Sequence, residues 1–147
     1  MNLRDWAANG RIVEQAWSMP EIADLMSAAD RDMVDASVPA LSTDWRLGIA
    51  YNAVLRLAAA ALAACGSRVA HESHHYRLIQ SLELTIGAQR KIIRRLDAFR
   101  KKRNTATYGK AGQVSDQEAG EMLVLAEELR RQVKSWLRRK CPDLLQE

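Results

Sequence analysis

Apolar residues recur at helical spacing along nearly the whole chain, and each run is bracketed by residues that start or stop a helix. This pattern restricts the fold more than any other feature, because a 3.6-residue period buries one stripe of a helix and does not serve a strand. Ser18-Met19-Pro20-Glu21 supplies an N-cap, a proline suited to the first turn and a glutamate that returns the capping-box bond. Ile22, Leu25, Met26, Ala29, Met33 and Ala36 follow at helical spacing, and Pro39 ends the pattern. Ser42 or Thr43 caps the next helix; its stripe is Leu47, Ala50, Val54, Leu57, Ala58, Ala61 and Cys65, and Gly66 stops it. Alanines at 58–61, 63 and 64 give this helix a small-residue surface that a neighbour can approach closely. A shorter helix is expected over 73–86, ended by Gly87, and another over 88–103. Ser115-Asp116-Gln117-Glu118 is a second capping box; its helix carries Met122, Leu125, Ala126, Leu129, Val133, Trp136 and Leu137 on one face, with Pro142 beyond its end. Seven Gly and three Pro in 147 residues are too few for an all-β chain. The expectation is an all-α, up-and-down bundle of four to five helices, one domain over 1–147 with 1–17 as a short N-terminal extension.

Charge is distributed unevenly. Residues 1–45 carry three basic and eight acidic residues, whereas 46–147 carry 19 basic and 10 acidic. Positions 90–103 hold eight cations and one acid, Asp97, and a second cluster is Arg130, Arg131, Lys134, Arg138, Arg139 and Lys140. Such clusters attract polyanions, RNA or DNA above all, and otherwise serve as solvated helix faces. The acidic first third is also suited to cover a basic face, of the same chain or of a second copy.

Within the 88–103 helix, Ile92, Leu96 and Phe99 fall on one stripe, and Arg103 continues it. Lys91, Arg94, Arg95, Lys101 and Lys102 point elsewhere and are assigned to long-range attraction of a phosphate backbone. Arg103 is thus expected to face the bundle or a partner, where an unpaired charge is costly and calls for a carboxylate, carbonyls or a phosphate. Asn104 reads as the helix C-cap and Tyr108-Gly109 as a turn.

The segment Phe99-Arg100-Lys101-Lys102-Arg103-Asn104-Thr105-Ala106-Thr107-Tyr108-Gly109 resembles the signature of HEPN domains (higher eukaryote and prokaryote nucleotide-binding): an Arg, often followed by Asn, then four to six residues and a His, at the end of a bundle helix. Some branches carry Tyr in the His place, as here. The order of Trp45-Arg46-Leu47, Tyr51-Asn52-Ala53, the alanine-rich helix with Cys65-Gly66, the motif helix and a long last helix is similar too, and the resemblance spans roughly 18–140. It implies a HEPN-like bundle that pairs as a homodimer with two Arg motifs facing across a cleft. It further implies RNA or nucleotide binding, and in many members metal-independent endoribonuclease activity in toxin–antitoxin or defence systems. Other members are non-catalytic binding or regulatory modules that partner a nucleotidyltransferase, the antitoxin in paired systems.

On this resemblance Arg103, Asn104 and Tyr108 are the candidate catalytic residues. A permanently charged, bidentate Arg suits a phosphoryl oxygen, and Asn104 suits phosphate orientation or capping. Tyr108, with an ordinary phenol pKa near 10, is a poor base at neutral pH and leaves the imidazole role open. His74 or His75, on a neighbouring helix, can supply it. His71-Glu72-Ser73-His74-His75 also matches H-E-x-x-H, but no His follows as a third ligand, so a zinc hydrolase is judged against and no metal or cofactor is expected.

Cys65 and Cys141 form no metal or redox spacing. The start has no apolar core of signal-peptide length, and the longest unbroken apolar run, 57–65, falls short of the about 20 residues a bilayer requires, so a cytoplasmic protein without a membrane span is expected. Trp6, Trp17, Trp45 and Trp136 read as core or interface anchors, with the segment between Trp6 and Trp17 suited to packing on a second copy.

Overall fold

The computed structural model describes residues 2–70, 74–108 and 112–142, and of 106–108 the backbone only. The chain forms helices α1 (Leu3–Ala8), α2 (Met19–Ala36), α3 (Thr43–Ala64), α4 (His74–Leu84), α5 (Arg90–Tyr108) and α6 (Asp116–Lys140), with strands β1 (Ile12–Glu14) and β2 (Ser67–Val69). It is an all-α bundle carrying one minor two-stranded sheet.

The two capping boxes form as expected. Ser18 Oγ accepts from the Glu21 amide at 3.2 Å while Glu21 accepts from the Ser18 amide at 3.1 Å, and Ser115 and Glu118 repeat the exchange at 3.0 Å each way. Ser42, not Thr43, caps α3, and the Thr43 hydroxyl instead donates to the Val114 carbonyl at 2.6 Å. Gly66, at φ 71°, takes the left-handed conformation that ends α3 and turns the chain into β2.

α3 is the centre of the bundle and touches α2, α4, α5, α6 and β2. Its alanine surface is used as the sequence suggests: Ala53, Ala58, Ala60 and Ala61 are fully buried, beside Leu57 and Val54. α3 is also long and apolar enough to cross a membrane, but 67% of that stretch is buried inside the chain, which is the behaviour of a core helix. α2 runs antiparallel to it, joined by the Asp32–Arg56 ion pair (2.7 Å), and Trp17 at its start donates to the Ser67 carbonyl beyond the end of α3. α6 starts beside the start of α3, where Arg46 pairs with Asp116, and so lies parallel to it. α4 and α5 form an antiparallel pair, with Arg90 on Glu83 at one end and Arg100 over the Tyr76 ring at the other.

One local expectation is corrected. The motif helix does not stop at Arg103; α5 continues to Tyr108, so Asn104 lies inside the helix and is no C-cap. The segment before Ser18 contains α1 and β1, and β1 pairs antiparallel with β2 in the register Ile12↔Val69, Val13↔Arg68, Glu14↔Ser67. Strands of three residues are too short to show a period of two, which is why no periodicity announced them. Trp6, read as a core or interface anchor, is buried within its own chain beneath Arg11. Trp45 is 68% exposed and so no part of the core.

Because α3 offers alanine to its neighbours, enlarging that surface should be as harmful as emptying the core. Ala58→Leu is expected to lower stability by about 1–3 kcal/mol through overpacking, and Leu57→Ala by about 2–5 kcal/mol through the cavity it leaves. Urea melts followed by circular dichroism measure both, and an Ala58→Leu melt matching wild type would show that the neighbours do not press on α3 there.

Candidate phosphate site around Arg103

Leu96 and Phe99 anchor α5 in the core, and Arg103 is the next position of the same stripe. Its side chain is half-buried, with the guanidinium carbon 5.7 Å from the centre of the Tyr51 ring. Tyr51 lies on α3 and is completely buried. The His75 ring meets it edge-on with centres 6.0 Å apart, and His74 follows at 5.7 Å from His75. Arg100 closes the group: its guanidinium carbon is 5.3 Å from the Tyr76 ring centre and its Nε donates to Asp97 at 2.8 Å. Helices α3, α4 and α5 thus bring one arginine of the motif, a second arginine, two histidines and two tyrosines together.

The electrostatics follow from burial beside cations. Partial burial, then the charges of Arg103, His74 and Arg100, hold the His75 imidazole below its ordinary 6.5, so it is neutral and able to accept a proton near pH 7. Burial pushes the Tyr51 hydroxyl well above its ordinary 10.0, against the opposing pull of Arg100 and Arg103, so it remains a protonated donor. Among the described residues that hydroxyl has no hydrogen-bond partner. An orphaned buried polar group costs about 1–3 kcal/mol, and a native chain that tolerates one usually has a use for it. Arg103 has no carboxylate partner among the described residues; Asp97, the acid of the basic run, is occupied by Arg100 and, at 3.6 Å, by Lys101. Among the described residues the inward-facing arginine is met by an aromatic face, which attracts a cation and leaves N–H donors to a ligand.

The remaining candidates divide. Asn104 is half-buried within α5 one residue beyond Arg103, and residue 108 is the last of that helix; the Tyr108 side chain lies outside the described residues. Lys91, Arg94, Arg95 and Lys101 are exposed, as a phosphate-attracting face requires. Lys102 differs from them: it is half-buried and paired with Glu118 at 3.3 Å, the glutamate of the α6 capping box, so its charge is partly offset within the chain. In the second cluster Arg130 is paired with Asp30 of α2, so part of that basic face is covered by the acidic first third. His71 and Glu72 of the H-E-x-x-H match lie outside the described residues, and among the described residues no three His, Cys, Asp or Glu are grouped to hold a metal ion.

Tyr51, Arg100 and Tyr76 were not singled out as site residues by the sequence. Tyr51 sits in an apolar stripe and reads as core; the signal it carries is a hydroxyl that needs a partner where none of its helix neighbours offers one. Arg100 was hidden among seven other cations, and the clue was Asp97 three residues before it, the spacing of an intrahelical ion pair.

A nuclear magnetic resonance titration of His75 should give a pKa below 6.5, moving back toward 6.5 in Arg103→Ala. Because the folded value is depressed, the stability associated with neutral His75 is fully present above pH 6.5 and is lost as pH falls through the folded value. His75→Gln should therefore flatten the decline of stability in that window, and a His75 titrating at or above 6.5 would remove the neutral imidazole from the site. No protein-family model matches the chain, no curated protein matches it significantly, and no solved structure does so.

Proposed function

We propose that this protein is a HEPN-like RNA-binding protein that cleaves RNA without a metal ion, with Arg103 holding the phosphate and His75 taking the part of the imidazole absent at position 108. The observation that carries the proposal is the half-buried, carboxylate-free Arg103 standing on Tyr51 beside a histidine held neutral. In such a reaction the neutral imidazole accepts the proton of a ribose 2′-hydroxyl. The 2′-oxygen attacks the adjacent phosphorus, the bond to the 5′-oxygen breaks, and that oxygen leaves with a proton from solvent. The products are a 2′,3′-cyclic phosphate and a free 5′-hydroxyl. Arg103 stabilises the charge that builds on the phosphoryl oxygens. Exposed Lys91, Arg94, Arg95 and Lys101 attract the backbone over longer range. Two chains pairing through this region would set two such sites across one cleft, as the family resemblance implies.

A second reading is favoured by Tyr108 itself: with no histidine at the motif position, the chain serves as a non-catalytic RNA or nucleotide module partnering a nucleotidyltransferase. Cleavage decides between them. Labelled RNA incubated with wild type in EDTA should yield cyclic-phosphate ends, with Arg103→Ala and His75→Ala each slower by about 100-fold or more. Arg103-dependent binding without cleavage supports the module, and cleavage unchanged in Arg103→Ala defeats the proposal.

Salt dependence of RNA binding tests the division of labour. Lys101→Ala should lower the slope by about one counterion, whereas Lys102→Ala, already neutralised by Glu118, should change it much less. Equal effects would mean that the Lys102–Glu118 pair opens on binding. Sedimentation of the pure protein at tens of micromolar should report a dimer; a strict monomer counts against paired sites.

A further inference from the structure

A separate cavity of about 270 Å³ opens on the other side of the histidine pair. Ala59 and Leu62 of α3, Val69 of β2 and Leu78 of α4 make its apolar wall, and Trp17 and His74 complete it. The Trp17 indole is held in place by its Nε1–H, which donates to the Ser67 carbonyl at 3.2 Å, so its ring is a pre-set aromatic surface. Arg68 also lines the space, and among the described residues its guanidinium makes a long contact, 3.4 Å to the Val69 carbonyl, which leaves donors for a ligand. An apolar slot with one aromatic surface and a few polar groups at its edge is how small planar ligands are bound, and this volume lies at or below the lower limit for drug-sized ligands, the size of a single ring system. His74 belongs to the cavity wall, and its ring centre is 5.7 Å from that of His75, which packs on Tyr51 of the Arg103 site. Ala59 lies eight residues beyond Tyr51 on α3, roughly 12 Å along the helix, a span that a nucleotide with its flanking phosphate covers.

We propose that this cavity is a nucleobase subsite: it takes the base next to the phosphate held at Arg103, so that the protein reads one nucleotide of its RNA. The inference rests on the phosphate reading of Arg103 given above. The base lies against Trp17 between the apolar walls, Arg68 donates to its edge, and its sugar passes His74. Stacking on an aromatic side chain is sequence-tolerant and supplies affinity, while the Arg68 donors favour bases that present acceptors at that edge.

Four probes separate the two sites: inorganic phosphate, ribose 5-phosphate, adenosine and adenosine 5′-monophosphate, each titrated by calorimetry and by the indole N–H resonances of the full chain. The monophosphate should bind about tenfold more tightly than ribose 5-phosphate, and the Trp17 N–H resonance should move with adenosine and the monophosphate but not with phosphate. Ala59→Phe, which fills the cavity, should abolish that tenfold preference without altering ribose 5-phosphate binding. Trp17→Leu, which removes the stacking surface and leaves the cavity, should do the same and covers the case in which Ala59→Phe folds poorly. Arg103→Ala should weaken all three phosphates and keep the preference for the base. If the monophosphate and ribose 5-phosphate bind alike, or both cavity variants keep the preference, the subsite is wrong while the phosphate site stands. If adenosine still binds at Trp17 but no phosphate depends on Arg103, the phosphate reading fails and the base site survives it.

Discussion

The fold depends on burying α3 against several neighbours at once. A helix that touches four others and a strand cannot carry large side chains toward all of them, and alanine is what allows the neighbouring backbones to come close. Leu47, Val54 and Leu57 fill the space on the sides where more room is left. Everything around the candidate site inherits its position from this packing. Tyr51 is fixed because α3 is fixed, and Arg103 and His75 are placed by α5 and α4 resting on the same helix.

Ion pairs then sort the charges that the sequence left in blocks. Asp30 and Asp32 of α2 reach Arg130 on α6 and Arg56 on α3, so the acidic first third neutralises cations of the bundle's own far side. Asp97 occupies Arg100 and Lys101, and Glu118 occupies Lys102. Exposed pairs of this kind contribute little to stability, typically well under 1 kcal/mol each, so their consequence lies in where positive charge remains. Along α5 it remains on Lys91, Arg94 and Arg95 at the surface, in part on Lys101, which shares one carboxylate with Arg100, and on Arg103 within.

Arg103 and Tyr51 together explain why the site has the chemistry it has. A guanidinium over a phenol ring is held without a carboxylate, and so keeps both its charge and its donors. Its field, added to burial, disfavours protonation of His75, while burial alone is enough to keep the Tyr51 hydroxyl protonated. Burial, with this cation's field added to it, thereby keeps a neutral base beside a positive charge, an arrangement suited to an anionic ligand that brings its own charge.

The five longer helices α2–α6, the starts at Ser18 and Ser115, the stop at Gly66 and the inward direction of Arg103 were legible in the chain, because caps and periodicity act over four or five residues and need no tertiary partner. The true end of α5 was not, since Asn104 is only a weak stop signal and the helix continues past it to Tyr108. Nor were β1 and β2, whose three-residue ladder exists only because residue 12 meets residue 69. Which aromatic ring Arg103 rests on, which histidine is held neutral and which tyrosine is orphaned among the described residues were likewise beyond the sequence. Those properties belong to pairs of residues 24 to 52 positions apart, Tyr51 with His75 and Tyr51 with Arg103, and distances of that kind are set by packing alone.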